Sequence, residues 1–141
     1  MKALSVHPYW AMEIVNGYKT IECRTWKTDY RGDLVICSTA KKYHGTIPGH
    51  ALGVVTLADI VPFEKKHLKA AGMLPSEFRP GCFAWILTDN RIITPQPAKG
   101  KLSLWEYTGP VEYVPREKWA VDAGDPDDDS WYQENGTPLL T

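Results

Sequence analysis

Gly17-Tyr-Lys-Thr-Ile-Glu-Cys-Arg24 is the stretch on which the reading of this chain turns. Just upstream, Trp10 and Ile14, and Ala11 and Val15, recur at helical spacing within 9–16, and Pro8 suits the opening turn of such a helix because its missing N–H has no partner there anyway. Gly17 then stops the helix, since glycine enters the left-handed conformation without a Cβ penalty. Beyond it the period changes to two. Over 20–26, Thr20, Glu22, Arg24 and Trp26 share one face of a strand while Ile21 and Cys23 point to the other. A glycine turn leading into a strand with one polar face brings Lys19, Glu22 and Arg24 together.

Working outward, Lys2-Ala-Leu-Ser-Val6 has the length and apolar content of a first strand. Tyr30-Arg-Gly-Asp33 is turn chemistry, and Leu34-Val-Ile-Cys-Ser38 is a continuous apolar run typical of a buried strand. The loop 41–49 is basic, aromatic and glycine-rich, a composition suited to ligand contact. A strand is expected over 51–61, a short helix over 64–71 and a core strand over 82–88. Asp89-Asn90 reads as a hairpin turn, with Ile92-Ile-Thr94 returning as the partner until Pro95 and Pro97 end the pairing. A last edge strand is expected over 111–114. Five to seven short strands with two helices point to a small curved sheet or open barrel rather than a parallel Rossmann-like sheet.

With 141 residues, 43% hydrophobic and 23% charged, the chain is long enough for one domain with a core that needs no staples. No apolar run approaches the roughly 20 residues that span a bilayer, and the start lacks the long apolar stretch of a secretion signal, so a cytoplasmic location is expected. Cys23, Cys37 and Cys82 form no Cys-x-x-Cys pair and read as buried thiols without chemistry. Net charge is −1, but it is unevenly spread. Residues 1–101 carry fourteen Lys and Arg against eight Asp and Glu, whereas the remaining forty carry two against nine. A mildly basic domain over 1–116 is thus followed by an acidic tail over 117–141, centred on Asp125, Asp127, Asp128 and Asp129, which either packs on the domain or is partly disordered. The tail lacks the alternating ligands, glycine and terminal glutamate of a calcium loop. A mildly basic body suits a weak polyanion partner.

Gly17-x-Lys19-x-x-Glu22-x-Arg24 resembles the G-x-K-x-x-E-x-R signature of the ASCH (activating signal cointegrator homology) family. Leu4-Ser-Val-His-Pro-Tyr-Trp10-Ala, Arg24-Thr-Trp26, Tyr30-Arg-Gly32, Ala40-Lys-Lys42 and Lys99-Gly-Lys-Leu-Ser-Leu-Trp105 resemble further stretches of that family in the same order, so the resemblance covers roughly residues 2 to 107. It implies an α+β fold: a PUA-like small β-barrel of five to seven strands, mixed or antiparallel, with two or three short helices. It also implies a cleft between the first helix and the sheet, and nucleic acid as the ligand class. Two precedents for chemistry come with it, an amidohydrolase acting on acetylcytidine and a metal-dependent ribonuclease.

Residue by residue, Lys19 reaches from the glycine turn toward Glu22. Held in a cleft it would lose proton affinity and serve as base or nucleophile; otherwise it forms an exposed salt bridge. Glu22 is read either as a general acid or base or as a clamp on Lys19 and Arg24. In the amidohydrolase relative the residue matching Lys19 is catalytic, but a threonine stands where this chain has Glu22. Thr20 is the substitute, and Lys19, Glu22 and Thr20 form the candidate catalytic set. Arg24 offers a planar fork for phosphate or a base edge, while Trp10 and Trp26 either stack on a base or pack in the core. Lys27, Arg31, Lys41, Lys42, Lys99 and Lys101 are candidates for phosphates, with Trp105 close to the last two. His7 and His44 have no Ser or Cys partner at an informative spacing and read as non-catalytic.

The leading expectation is therefore a domain that binds RNA, single-stranded DNA or a modified base or nucleoside in that cleft. The alternatives are a small hydrolase using the same cleft, or a protein-interaction module regulated by intramolecular contact with its acidic tail. No membrane partner and no cofactor are expected, a divalent metal entering only with ribonuclease activity.

Overall fold

The structure is a computed structural model that describes residues 1–115; the expected boundary at 116 and the acidic tail over 117–141 lie outside those residues. Seven strands form one mixed sheet: β1 (Lys2–Val6), β2 (Ile21–Arg24), β3 (Gly32–Ser38), β4 (His50–Pro62), β5 (Phe83–Pro97), β6 (Leu104–Glu106) and β7 (Tyr113–Val114). Their order is β2-β5-β4-β3-β1-β6, with β7 on the second half of β5. Only β1 and β3 run parallel; every other pair is antiparallel. The helical elements are α1 (Pro8–Val15) and two 3-10 turns, Lys65–His67 and Pro75–Glu77.

The sheet curls into a half-barrel around α1. Ala11, Met12, Ile14 and Val15 of the helix pack with Leu4, Val6, Leu34, Ile36, Leu52, Val55 and Trp85 in the main core. The alternate residues of the same strands, Ala3, Val35, Cys37, Ala51 and Val54, build a second cluster with Ile93 and Tyr107 on the opposite face. Both faces of β3 are covered, which is why 34–37 reads as an unbroken apolar run. Gly53 lets the helix lie this close. A Cβ there would stand 2.6 Å from both Val15 Cγ1 and the Arg91 carbonyl oxygen.

Three sequence expectations are corrected. The expected hairpin turn at Asp89-Asn90 lies inside β5, which pairs with β4 on both sides of it. Val54 faces Arg91 and Thr56 faces Thr88, so three residue steps oppose two and the surplus is absorbed as a bulge with Asp89 at φ +50. The bulge is useful: Asn90 Nδ2 donates to the carbonyl of Val15 at 3.0 Å, satisfying an end of α1. Pairing also runs on through Pro95 and Pro97, with Gln96 opposite Ala51. The expected helix over 64–71 is only the 3-10 turn Lys65–His67 followed by further turns. The carbonyl of Ala70 is taken by the N–H groups of Thr20 and Ile21, and Gly72 turns the chain away at φ +71. Gly17 ends α1 as read, at φ +86.

Candidate functional site

The loop 63–82 folds back over the start of β2, and the segment 98–103 approaches from the far side of the sheet. Between them and the first turn of α1 opens a cavity of about 950 Å³. Period two puts Glu22 and Arg24 on the same side of β2, and both line this cavity with Lys19. Lys19 is 5% exposed and Glu22 is 8% exposed, so the pair lies in the wall rather than on the surface.

Each charge there is held from several sides. The Lys19 ammonium donates to the carbonyl oxygen of Ala71, lies 3.4 Å from Glu22 Oε1, and sits over the Trp10 ring at 5.1 Å. Burial lowers its pKa from the ordinary 10.5, and the Glu22 carboxylate opposes that shift. Glu22 Oε2 accepts from Arg24 Nε at 3.0 Å and lies 2.9 Å from its Nη2. Arg24 Nη2 also donates to the carbonyl of Ser5 at 3.0 Å. Glu22 thus stands between two cations, and Arg24 ties β2 to β1 across the mouth of the half-barrel.

Around this floor, Trp10 packs where Gly72 leaves room, since a Cβ on Gly72 would lie 2.8 Å from the indole. His7 lines the cavity beside it, its Nδ1 accepting from the Tyr9 N–H at 3.1 Å. Burial, then the nearby Lys41 charge, hold the His7 imidazole below its usual 6.5. His7 and Tyr9 meet Tyr43 edge-on and tilted, at 5.2 and 5.7 Å between ring centres. Lys99 and Lys101 complete the lining on the opposite side. Four cationic side chains, Lys19, Arg24, Lys99 and Lys101, face two carboxylates, Glu22 and Glu77, so the cavity favours an anion.

A family model for the ASCH domain matches residues 4–97. This chain belongs to the ASCH domain family. A stretch of 39 residues, 28% of the chain, is 54% identical to human (Homo sapiens) activating signal cointegrator 1, and it spans only 7% of that protein's length. The solved ASCH structure from Zymomonas mobilis matches with a TM-score of 0.57 at 20% identity, over 82% of this chain and 88% of that one. A point mutant of the same Zymomonas mobilis protein matches at TM-score 0.57 and 21% identity, over 68% of this chain and 72% of that one. At such identity the likeness is one of fold, and it agrees with the PUA-like small barrel expected.

Within this ASCH domain, Lys19, Glu22, Arg24, Trp10, Lys99 and Lys101 converge on the cavity. The other candidates go elsewhere. Thr20 is exposed and borders a separate depression beside Ile86 and Asp89, because its N–H goes to Ala70 and its carbonyl to Leu87 before β2 begins. Trp26 packs edge-on to Trp85, Lys27 sits over Phe83 at 5.5 Å, and Arg31 holds the Thr28 and Tyr30 carbonyls with Asp59 3.6 Å away. Lys41 and Lys42 are exposed next to the cavity's edge at Thr39 and Ala40. Trp105 packs into the second core cluster and reaches the cavity wall only by donating to Ser5 Oγ at 3.0 Å.

Of the three thiols only Cys37 is buried; Cys23 and Cys82 are half-buried and adjacent, and burial with the Cys82 neighbour pushes Cys23 up to about 11. Sequence reasoning passed over Ser5, His7, Met73 and Glu77 as lining residues. Ser5 and His7 lie in a stretch that carries the family resemblance, but the place of all four on the lining depends on the sheet closing. Among the described residues no cluster of three His, Cys, Asp or Glu side chains is placed to hold a metal ion, and no helix is long and apolar enough to cross a membrane.

Proposed function

We propose that this ASCH domain binds nucleic acid, RNA or single-stranded DNA, by taking one nucleotide or a modified base into the cavity. The carrying observation is the buried pair Lys19 and Glu22, joined by the half-buried Arg24, on the floor of a cavity of about 950 Å³ whose rim is basic. A carboxylate offers about four lone-pair directions, so Glu22 keeps acceptor capacity for a base N–H after its bonds to Lys19 and Arg24. Arg24, 26% exposed on its side chain, presents the remaining edge of its fork to a base carbonyl or phosphate. The exposed part of Trp10 gives a stacking surface, and Lys99 and Lys101 meet flanking phosphates.

Fluorescence anisotropy with labelled short RNA and DNA of the same sequence tests this reading. Binding that weakens linearly in log affinity against log salt is expected. No affinity for either at low salt overturns it.

One observation favours a second reading, hydrolysis of an acyl group from a modified cytidine: burial makes the Lys19 ammonium give up its proton more readily than an ordinary lysine. Against it, the Nζ is already engaged by Ala71 and Glu22, and Thr20 supplies no hydroxyl to the cavity. Acetylcytidine turnover that disappears in Lys19→Ala, while oligonucleotide affinity persists, would move the assignment from binding to catalysis. The regulatory role suggested for the acidic tail lies outside the described residues.

A further inference from the structure

Leu102, at 94% exposure, is the most exposed of the large apolar side chains among the described residues, and it stands on the lip of the cavity. Single exposed apolar residues are ordinary, so exposure alone says little. Its setting says more. Lys99 and Lys101 precede it, both exposed, and neither forms an ion pair with a described carboxylate. The foot of the loop is fixed on Ser5: a Cβ on Gly100 would lie 2.1 Å from Ser5 Oγ, and Trp105 Nε1 donates to that same oxygen. Ser103 returns the chain at φ +59, a left-handed conformation that L residues seldom adopt. A fixed foot and a constrained return hold Leu102 out at the entrance instead of letting it fold onto the apolar lining.

We propose that Leu102 is a wedge. When one nucleotide of a single strand enters the cavity, the leucine side chain takes the stacking position that the extruded base leaves beside its neighbour, while Lys99 and Lys101 hold the flanking phosphates. Apolar side chains inserted between base steps are a recurrent means of unstacking, and lysine contacts to phosphate set position without reading sequence. The ligand is then a base within a strand, not a free nucleoside. This inference rests on the nucleic-acid reading above and adds to it the form in which the base is presented.

The test uses short RNA and DNA strands of the same sequence carrying 2-aminopurine next to the nucleotide that enters the cavity, with anisotropy for affinity and 2-aminopurine emission for unstacking. Binding of the unaltered protein raises the emission, and the sugar bound more tightly identifies the natural strand. Leu102→Ala, at a site too exposed to affect folding, lowers affinity about tenfold and suppresses the rise, as expected for loss of one stacking partner. Leu102→Met restores both. Lys101→Ala weakens binding and flattens its salt dependence but keeps the rise in the bound state. Unchanged affinity and emission in Leu102→Ala overturns the wedge and leaves the binding reading standing; failure of the unaltered protein to bind any strand overturns both.

Discussion

Arg24 donates from Nη2 to the carbonyl oxygen of Ser5 at 3.0 Å, joining β2 to β1 although three strands stand between them in the sheet order. The same guanidinium pairs with Glu22, so one side chain both closes the half-barrel and neutralises a buried carboxylate. Breaking a buried ion pair costs about 3–5 kcal/mol, reduced here because the Arg24 side chain is 26% exposed. Arg24→Ala is expected to lose about 2–3 kcal/mol in urea unfolding. Arg24→Lys recovers only part of it, since an ammonium cannot span Glu22 and Ser5 as the fork does. A loss under about 0.5 kcal/mol would place this contact with ordinary surface bridges.

Glu22 is the group that keeps Lys19 charged against its burial. In Glu22→Gln that support disappears, and the Lys19 pKa, already below 10.5, falls further. A lysine with its folded pKa below the unfolded value binds fewer protons when folded across the interval between them. Stability attributable to Lys19 therefore rises with pH through that interval, up to 10.5. The rise should begin at lower pH in Glu22→Gln than in the unaltered protein, read from denaturation midpoints between neutral and alkaline pH. Coincident profiles would show that the two groups are not coupled.

The segment Gly17-Tyr-Lys-Thr-Ile-Glu-Cys-Arg24 was legible because its signals are local: a glycine at φ +86 ends a helix, and period two sorts the residues after it into faces. Signals that depend on a distant neighbour were not. The Ala71 carbonyl that holds Lys19 is 52 residues away, and Ser5 meets Arg24 only once the sheet has curled. Thr20 reads as a member of the strand face, yet the backbone of 70 and 87 claims it first. Asp89-Asn90 has turn chemistry, and only the continued pairing of β5 with β4 converts it into a bulge. Tertiary pairing overrides turn propensity when both flanks already have a partner strand.

Cys37 sets part of the alkaline limit of the fold. Fully buried on β3, its thiol is pushed by burial from 9.0 up to about 12. The unfolded thiol ionises from 9.0 while the folded one stays protonated. Its contribution is therefore complete below pH 9 and is lost as pH rises toward 12, at up to about 1.4 kcal/mol per pH unit. Cys37→Ala should flatten this fall by about one proton's worth of slope. Equal slopes in the two proteins between pH 9 and 10.5 would show that the thiol does not govern it.

Trp26 separates a packing tryptophan from a ligand-binding one. Its ring meets the fully buried Trp85 edge-on, 4.7 Å between centres, and its backbone carbonyl accepts from Trp85 Nε1 at 3.2 Å. It does not line the cavity that holds Lys19 and Arg24. Removing a large aromatic from the edge of a core costs about 2–4 kcal/mol, the lower part of the range for full burial because Trp26 is only half-buried. Trp26→Ala should therefore lower the unfolding midpoint and leave oligonucleotide affinity unchanged at temperatures where the variant is folded. Lys101→Ala should do the reverse, because an exposed rim lysine contributes little to the fold and acts on the phosphates directly. A tenfold loss of affinity in a folded Trp26→Ala would instead extend the binding surface from the cavity along β2 to the Trp26 ring.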